Sequence, residues 1–465
     1  MYTKPLSLLA AFMTAASLVN QVAAGDLPPD NPFSSPSPLV FQTPQFDRIR
    51  DEHFRPAFLE GMRLQLAEMD AITAQKDAPT FENTITAIEK SGALLTRVRN
   101  VFSNLTSSHK NEALQAIETE LAPLQAAHSD NILLNRLLFA RVSSLWDRRA
   151  TLGLTTEQHE VLKQHYENFV RAGARLTDEQ QVRIRALNEK ISLLETKFEE
   201  NLLALLKERS VVVDSATELD GMSELDISAA AEIAKNRGLS GKYVLEISNT
   251  PRVPLLTSLN NRALRQRVWE ASAYRGLGRD GGLDNQPLVI ELAKLRAERA
   301  QLLGFDSHAA FKLQNQMAQT TAAARKMLTD LAPGVMDRVR QEAADLEQMI
   351  RAGGDKHELA PWDWEYYAEK LRKARFDVDE SQVKPYFELN SVLENGVFHT
   401  MNLLHGVQFR ERTDLPIFHP DVRVFDVLEK DGSQIGIFFF DQFRRETKRG
   451  GAWMSSFVDQ SGLLK

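Results

Sequence analysis

The sequence predicts a mostly α protein, a long helical body that ends in a small antiparallel sheet. Two observations carry this. Through most of the chain after residue 46, apolar residues recur at steps of three and four, the period that gathers them on one helix face. Near the C-terminus two short apolar runs flank Lys430-Asp431-Gly432, the mark of a hairpin with an Asp-Gly turn. With 465 residues, 43% hydrophobic and 26% charged, the chain has a soluble protein's balance and room for a large core.

The first 24 residues read as a secretory signal peptide. Lys4 is the only charged side chain before Asp26, Leu6 to Val19 form an apolar run, and Val22-Ala23-Ala24 offers small residues before Gly25. The run is short for a membrane span, which takes about 20 residues. The expectation is an exported, periplasmic protein with no membrane association after cleavage. Residues 25–45, rich in Pro and Ser, read as an extended arm.

Helices follow. The clearest covers 178–206, where Ile184, Leu187, Ile191, Leu194, Phe198, Leu202 and Leu205 share a face and Thr177 with Gln180 makes a capping box. The same period predicts helices over 81–102, 288–303 and 322–350, the last broken or kinked at Pro333-Gly334. Tyr243 to Ile247 alternates like a short strand, and Val422–Val427 with Ile435–Phe440 form the terminal hairpin. The division expected is 46–219 as a helical N-terminal region and 220–465 as the start of a second one, with Gly353-Gly354 as another possible border.

Charge and composition exclude several functions. A net charge of −7 with no basic run gives no footprint for nucleic acid. The absence of cysteine removes disulfides, thiol catalysis and cysteine-ligated zinc.

Apparent catalytic motifs fail on geometry. His159 and His165 are six residues apart, as are His399 and His405. On a helix that spacing splays side chains by roughly 120°, whereas two zinc-binding histidines need a spacing of four. His357-Glu358-Leu359-Ala360 is followed by Pro361 where the second histidine belongs. Gly276 to Gly281 matches a dinucleotide fingerprint but lacks the preceding strand, so a loop between helices is expected. His419-Pro420-Asp421 reads as a structural loop and Trp362 to Tyr367 as packing at a helix start.

Several segments, in order, carry a resemblance. They are Phe46-Asp47-Arg48-Ile49 with His53 to Phe58; Phe81 to Ile85 with Glu89 to Gly92; Leu295 to Phe305 with Gln316-Met317-Ala318; Pro361 to Tyr367; Lys384 to Leu389; Phe418 to Val422; and Gly450-Gly451-Ala452-Trp453-Met454. Together they resemble the thimet-oligopeptidase-like zinc metallopeptidases, nearest to the bacterial peptidyl-dipeptidase (dipeptidyl carboxypeptidase) branch.

The resemblance implies a helical, two-lobed fold with a channel for short peptides. It also implies one zinc held by His-Glu-x-x-His and a glutamate, with C-terminal dipeptides as products. None of those catalytic residues occurs up to Lys465, so neither catalytic nor metal-binding residues are assigned, and no zinc is expected on this chain. Gly450, Gly451, Ala452, Trp453 and Met454 are the candidate substrate-binding residues, expected as a strand that borders the channel. The chain is thus expected to be a peptidase front portion, cut short before its zinc helices and inactive alone, with a second catalytic chain as the partner that would complete it. The alternative is a peptide-binding or partner-dependent fragment without catalysis. In either case Ile435 to Phe440 should show an uncovered apolar face.

Overall fold

The computed structural model describes residues 27–463 except 248, 378 and 379, so the expected signal peptide lies outside the described residues. It is mostly α, with a two-stranded and a three-stranded antiparallel sheet. Two compact units divide the described chain. The first holds the residues up to Leu105, His128–Ala174 and the stretch from Ser455; the second holds Thr106–Ala127 and Arg175–Met454. The 46–219 and 220–465 division stays an expectation.

In the first unit, Met69, Ile72, Ile85, Leu138, Val142, Leu145, Leu162 and Phe169 form one buried cluster. Elsewhere in this unit Gly61 permits a close approach: a Cβ at that position would lie 2.9 Å from Leu95 Cα. The Pro/Ser-rich stretch is not a free extended arm. Phe33 is buried against Phe54, Arg97 donates to Phe33 O at 2.9 Å, and Asn31 donates to His53 O at 3.0 Å. Prolines stopped a helix, as their chemistry requires, but left the turns free to fold back. The helix expected over 81–102 divides into Phe81–Thr86, Ala87–Lys90 and Ala93–Ser108. Gly92 takes φ 71° at the break and donates its N–H to Glu68 at 2.7 Å.

In the second unit, Asp178–Glu208 is one helix of 31 residues, opened by the expected Thr177–Gln180 capping box. Its Leu187 and Ile191 pack on Leu292 and Leu295 of Gln286–Leu302. Lys190–Glu291 at 2.5 Å and Arg296–Glu195 at 2.6 Å flank that seam. The helix Thr321–Ala352 runs through Pro333 without ending there, so of the expected break or kink the break does not occur. Thr329, whose carbonyl loses its partner to the proline, lies on an exposed stretch where water can replace it.

The strand at Tyr243–Leu245 (β2) pairs with Val211–Val213 (β1), which carried too short an apolar run to read. The hairpin forms as expected from Arg423–Leu428 (β4) and Gln434–Phe440 (β5), with Gly432 at φ 86° in the turn. Gln408–Arg412 (β3), not foreseen, completes the order β3-β4-β5. Asp426 on the central strand is wholly buried and joins all three, accepting from Arg410 at 2.7 Å, Arg412 at 3.1 Å and Gln434 at 2.6 Å. No residue of β5 is fully buried; Ile435 is 48% exposed and Phe438 36%, but Phe438 still packs on Phe409 and Phe425, so the strand is partly covered rather than bare along one face as expected.

Candidate functional site

Apolar leucines, a paired lysine and two arginines meet in a cleft of about 220 Å³ in the second unit, lined by Lys110, Glu199, Leu202, Leu203, Leu206, Arg275, Arg449 and Gly450. Glu199 and the three leucines come from the Asp178–Glu208 helix. Leu202, expected as core, is 40% exposed, because the helix face that packs elsewhere opens here onto the cleft. Arg275 follows the end of Arg262–Ala273.

The chain that brings Gly450 to the cleft is held by backbone and charge. Arg449 N–H donates to Ser107 O at 2.9 Å, and Lys110 N–H to Thr447 O at 3.0 Å. Arg445 donates to Ser108 O at 2.8 Å and, with Lys448, grips Asp441 at 2.7 and 3.1 Å. Burial works to raise the Asp441 carboxyl, but hydrogen bonds from Arg445 and Lys448 outweigh it and hold the pKa below its ordinary value.

The cations differ in how they are satisfied. Lys110 pairs with Glu118, and Arg449 with Glu199 at 2.5 Å. The Arg275 side chain has no hydrogen-bond or carboxylate partner among the described residues. Burial, followed by repulsion from Arg252, lowers its pKa.

Of the five sequence candidates, only Gly450 lines this cleft. Gly451, Ala452, Trp453 and Met454 lie outside it on exposed, irregular chain, Trp453 with Lys448 Nζ 5.8 Å from its ring. The expected strand over 450–454 is therefore corrected: the last strand ends at Phe440. Extra glycines lower the tendency to strand, and no partner strand lies beside them among the described residues. Lys110, Glu199 and Arg275 escaped the sequence reading because they come from segments far apart in the chain.

The set-aside motifs stay structural. His165 bonds Glu89 at 2.6 Å, and His357 lies in a loop 3.8 Å from Asp363. His419 Nδ1 accepts from the Asp421 N–H at 3.2 Å. Gly276–Gly281 falls between helices. Among the described residues no group of three or more His, Asp or Glu could hold a metal ion, so the donors present do not build the zinc site that the resemblance implies.

The helical body and its small terminal sheet agree with what the comparison with known proteins finds: residues 255–464 match the family described as Peptidase family M3, in line with the thimet-oligopeptidase-like resemblance. Its relatives narrow this. Dipeptidyl carboxypeptidase of Escherichia coli is 41% identical over 435 residues, covering 94% of this chain and 64% of that protein. Dipeptidyl carboxypeptidase of Salmonella typhimurium is 41% identical over 433 residues, again covering 64% of that protein. Oligopeptidase A of Escherichia coli is 30% identical over 433 residues, 92% of this chain and 63% of that one. The chain thus spans less than two thirds of the length of these relatives.

Proposed function

We propose that this chain is the peptide-engaging front portion of a zinc peptidase that releases C-terminal dipeptides from short peptides. The observation that carries this reading is the 41% identity, sustained over 435 residues, to proteins named dipeptidyl carboxypeptidase. Hydrolysis then depends on a His-Glu-x-x-His motif outside these 465 residues, because none occurs within them. Gly450, with Gly451 to Met454 beside it, supplies the substrate-facing backbone. Export to the periplasm follows from the first 24 residues, and amino-terminal sequencing of the mature protein should then begin at Gly25.

The test is turnover of a blocked tripeptide by the purified polypeptide of residues 1–465. It should cut nothing and carry far less than one zinc per chain. Addition of a polypeptide bearing the missing motif should restore zinc-dependent release of a dipeptide. Stoichiometric zinc together with turnover by the 465-residue chain alone would sink the proposal.

A second reading, a fragment that works only with a partner, is favoured by a bare apolar stripe. Met327, Leu328, Leu331, Val335 and Met336 on Thr321–Ala352 are each between 48% and 63% exposed. Such a stripe calls for a covering surface. A monodisperse, cooperatively folding chain that binds no peptidase segment would count against it.

A further inference from the structure

We propose that Arg275 receives the C-terminal carboxylate of a short peptide, whose last side chain rests on Leu202, Leu203 and Leu206. The proposal rests on the peptide-engaging function above and names the chemical group that the cleft recognises.

Three features of the cleft lead to it. Each of the other two lining cations already has its own carboxylate, Lys110 with Glu118 and Arg449 with Glu199. Arg275 alone among them brings a charge without a partner among the described residues. A half-buried guanidinium left so is poorly solvated and is further disfavoured by Arg252, and both effects are relieved by an incoming anion. A carboxylate suits it best, since the planar fork can donate two parallel hydrogen bonds.

The surroundings then choose among anions. A small hydrated ion such as phosphate would gain nothing from three leucine side chains beside the charge. A carboxylate joined to an apolar side chain would satisfy both the guanidinium and the floor. The cleft's volume of about 220 Å³ fits one terminal residue rather than a long peptide. At Gly450 no heavy atom lies within 4 Å of where a Cβ would stand, which leaves room for the peptide backbone to enter.

The test is calorimetric titration of the full chain with an acetylated apolar tripeptide, as the free acid and as the C-terminal amide. The free acid should bind roughly tenfold more tightly or better, the usual return on a charge-assisted hydrogen bond. Arg275→Met should abolish that preference, and Arg275→Lys should keep part of it. Should Arg275→Met fail to fold, Leu202→Glu serves instead. Leu202 is 40% exposed, so the fold tolerates the change, and the new carboxylate should cancel the preference.

Equal binding of acid and amide would overturn the inference while leaving peptide engagement intact. So would an acid preference that survives Arg275→Met. Arg275-dependent binding of inorganic phosphate without binding of the free-acid peptide would make this an inorganic-anion site and overturn it too. Binding of neither peptide would overturn both this inference and the function on which it rests.

Discussion

Two helices of the second unit, Asp178–Glu208 and Thr321–Ala352, have nearly equal lengths of 31 and 32 residues and similar apolar periodicity, yet opposite fates. The first buries Ile184, Leu187, Ile191 and Leu205. The second buries only Leu346 and Ile350, near its end, against Tyr366 and Tyr367, and leaves its first five turns bare. A repeat at 3.6 residues makes a helix with an apolar face; whether that face is covered depends on what lies beside it. The deepest site near the second helix is in fact charged. Asp363, wholly buried, accepts from Arg262 at 2.8 Å, Arg265 at 3.0 Å and the Ala360 N–H at 3.1 Å. Burial pushes its carboxyl up, but these hydrogen bonds prevail and keep its pKa below the ordinary value.

The contrast is tested most severely at Asp363. Replacing it by Ala leaves Arg265, 1% exposed, as an uncompensated buried charge. We expect a loss of about 3–5 kcal/mol in urea unfolding. A loss below 1 kcal/mol would mean that the cluster is ornamental and that apolar packing alone holds this region.

Next in size is a matched pair of truncations. Leu187→Ala should cost about 2–5 kcal/mol, since it opens a cavity against Leu292 and Leu295. Leu331→Ala, at a position 57% exposed, should change stability by less than about 0.5 kcal/mol. Equal losses would show that Leu331 is covered in solution, and the comparison between the helices would fall.

A smaller effect concerns pH in the first unit. Burial, with Arg99 adding to it, lowers the His128 pKa from 6.5 to about 4. Between those values the unfolded chain binds more protons than the folded one, so stability should be intact above 6.5 and fall as pH drops towards 4. His128→Asn, which can keep a hydrogen bond to Gln65, should flatten that slope. An unchanged slope in chemical unfolding between pH 7 and 4.5 would assign the effect to another group.

The smallest change is on the bare stripe itself. Leu331→Lys should leave unfolding unaltered within about 0.5 kcal/mol while lowering the binding of an apolar dye. No drop in dye binding would place the exposed apolar surface elsewhere, for example on the open β5 edge.

Much of the architecture was legible locally. The capping box at Thr177, the strand at Tyr243 and the Asp431-Gly432 turn each need only a few neighbouring residues, and each is where the pattern put it. The failures share a cause as well. Pro333 did not break its helix, residues 27–45 did not stay extended, and 450–454 made no strand. In every case the outcome depended on whether water, another helix or a partner strand stood alongside, which no local pattern records.

By itself the sequence determined the helical class, the peptidase resemblance and the hairpin, because these follow from periodicity, the order of recognisable segments and turn chemistry. Only the tertiary structure decided that Arg275, Leu202 and Gly450 line one cleft, that Lys110 and Arg449 there are already paired, and that Asp363 is the buried centre of its neighbourhood. The physical reason is that secondary structure is written in contacts a few residues apart, while burial and charge pairing arise where distant segments meet and exclude water.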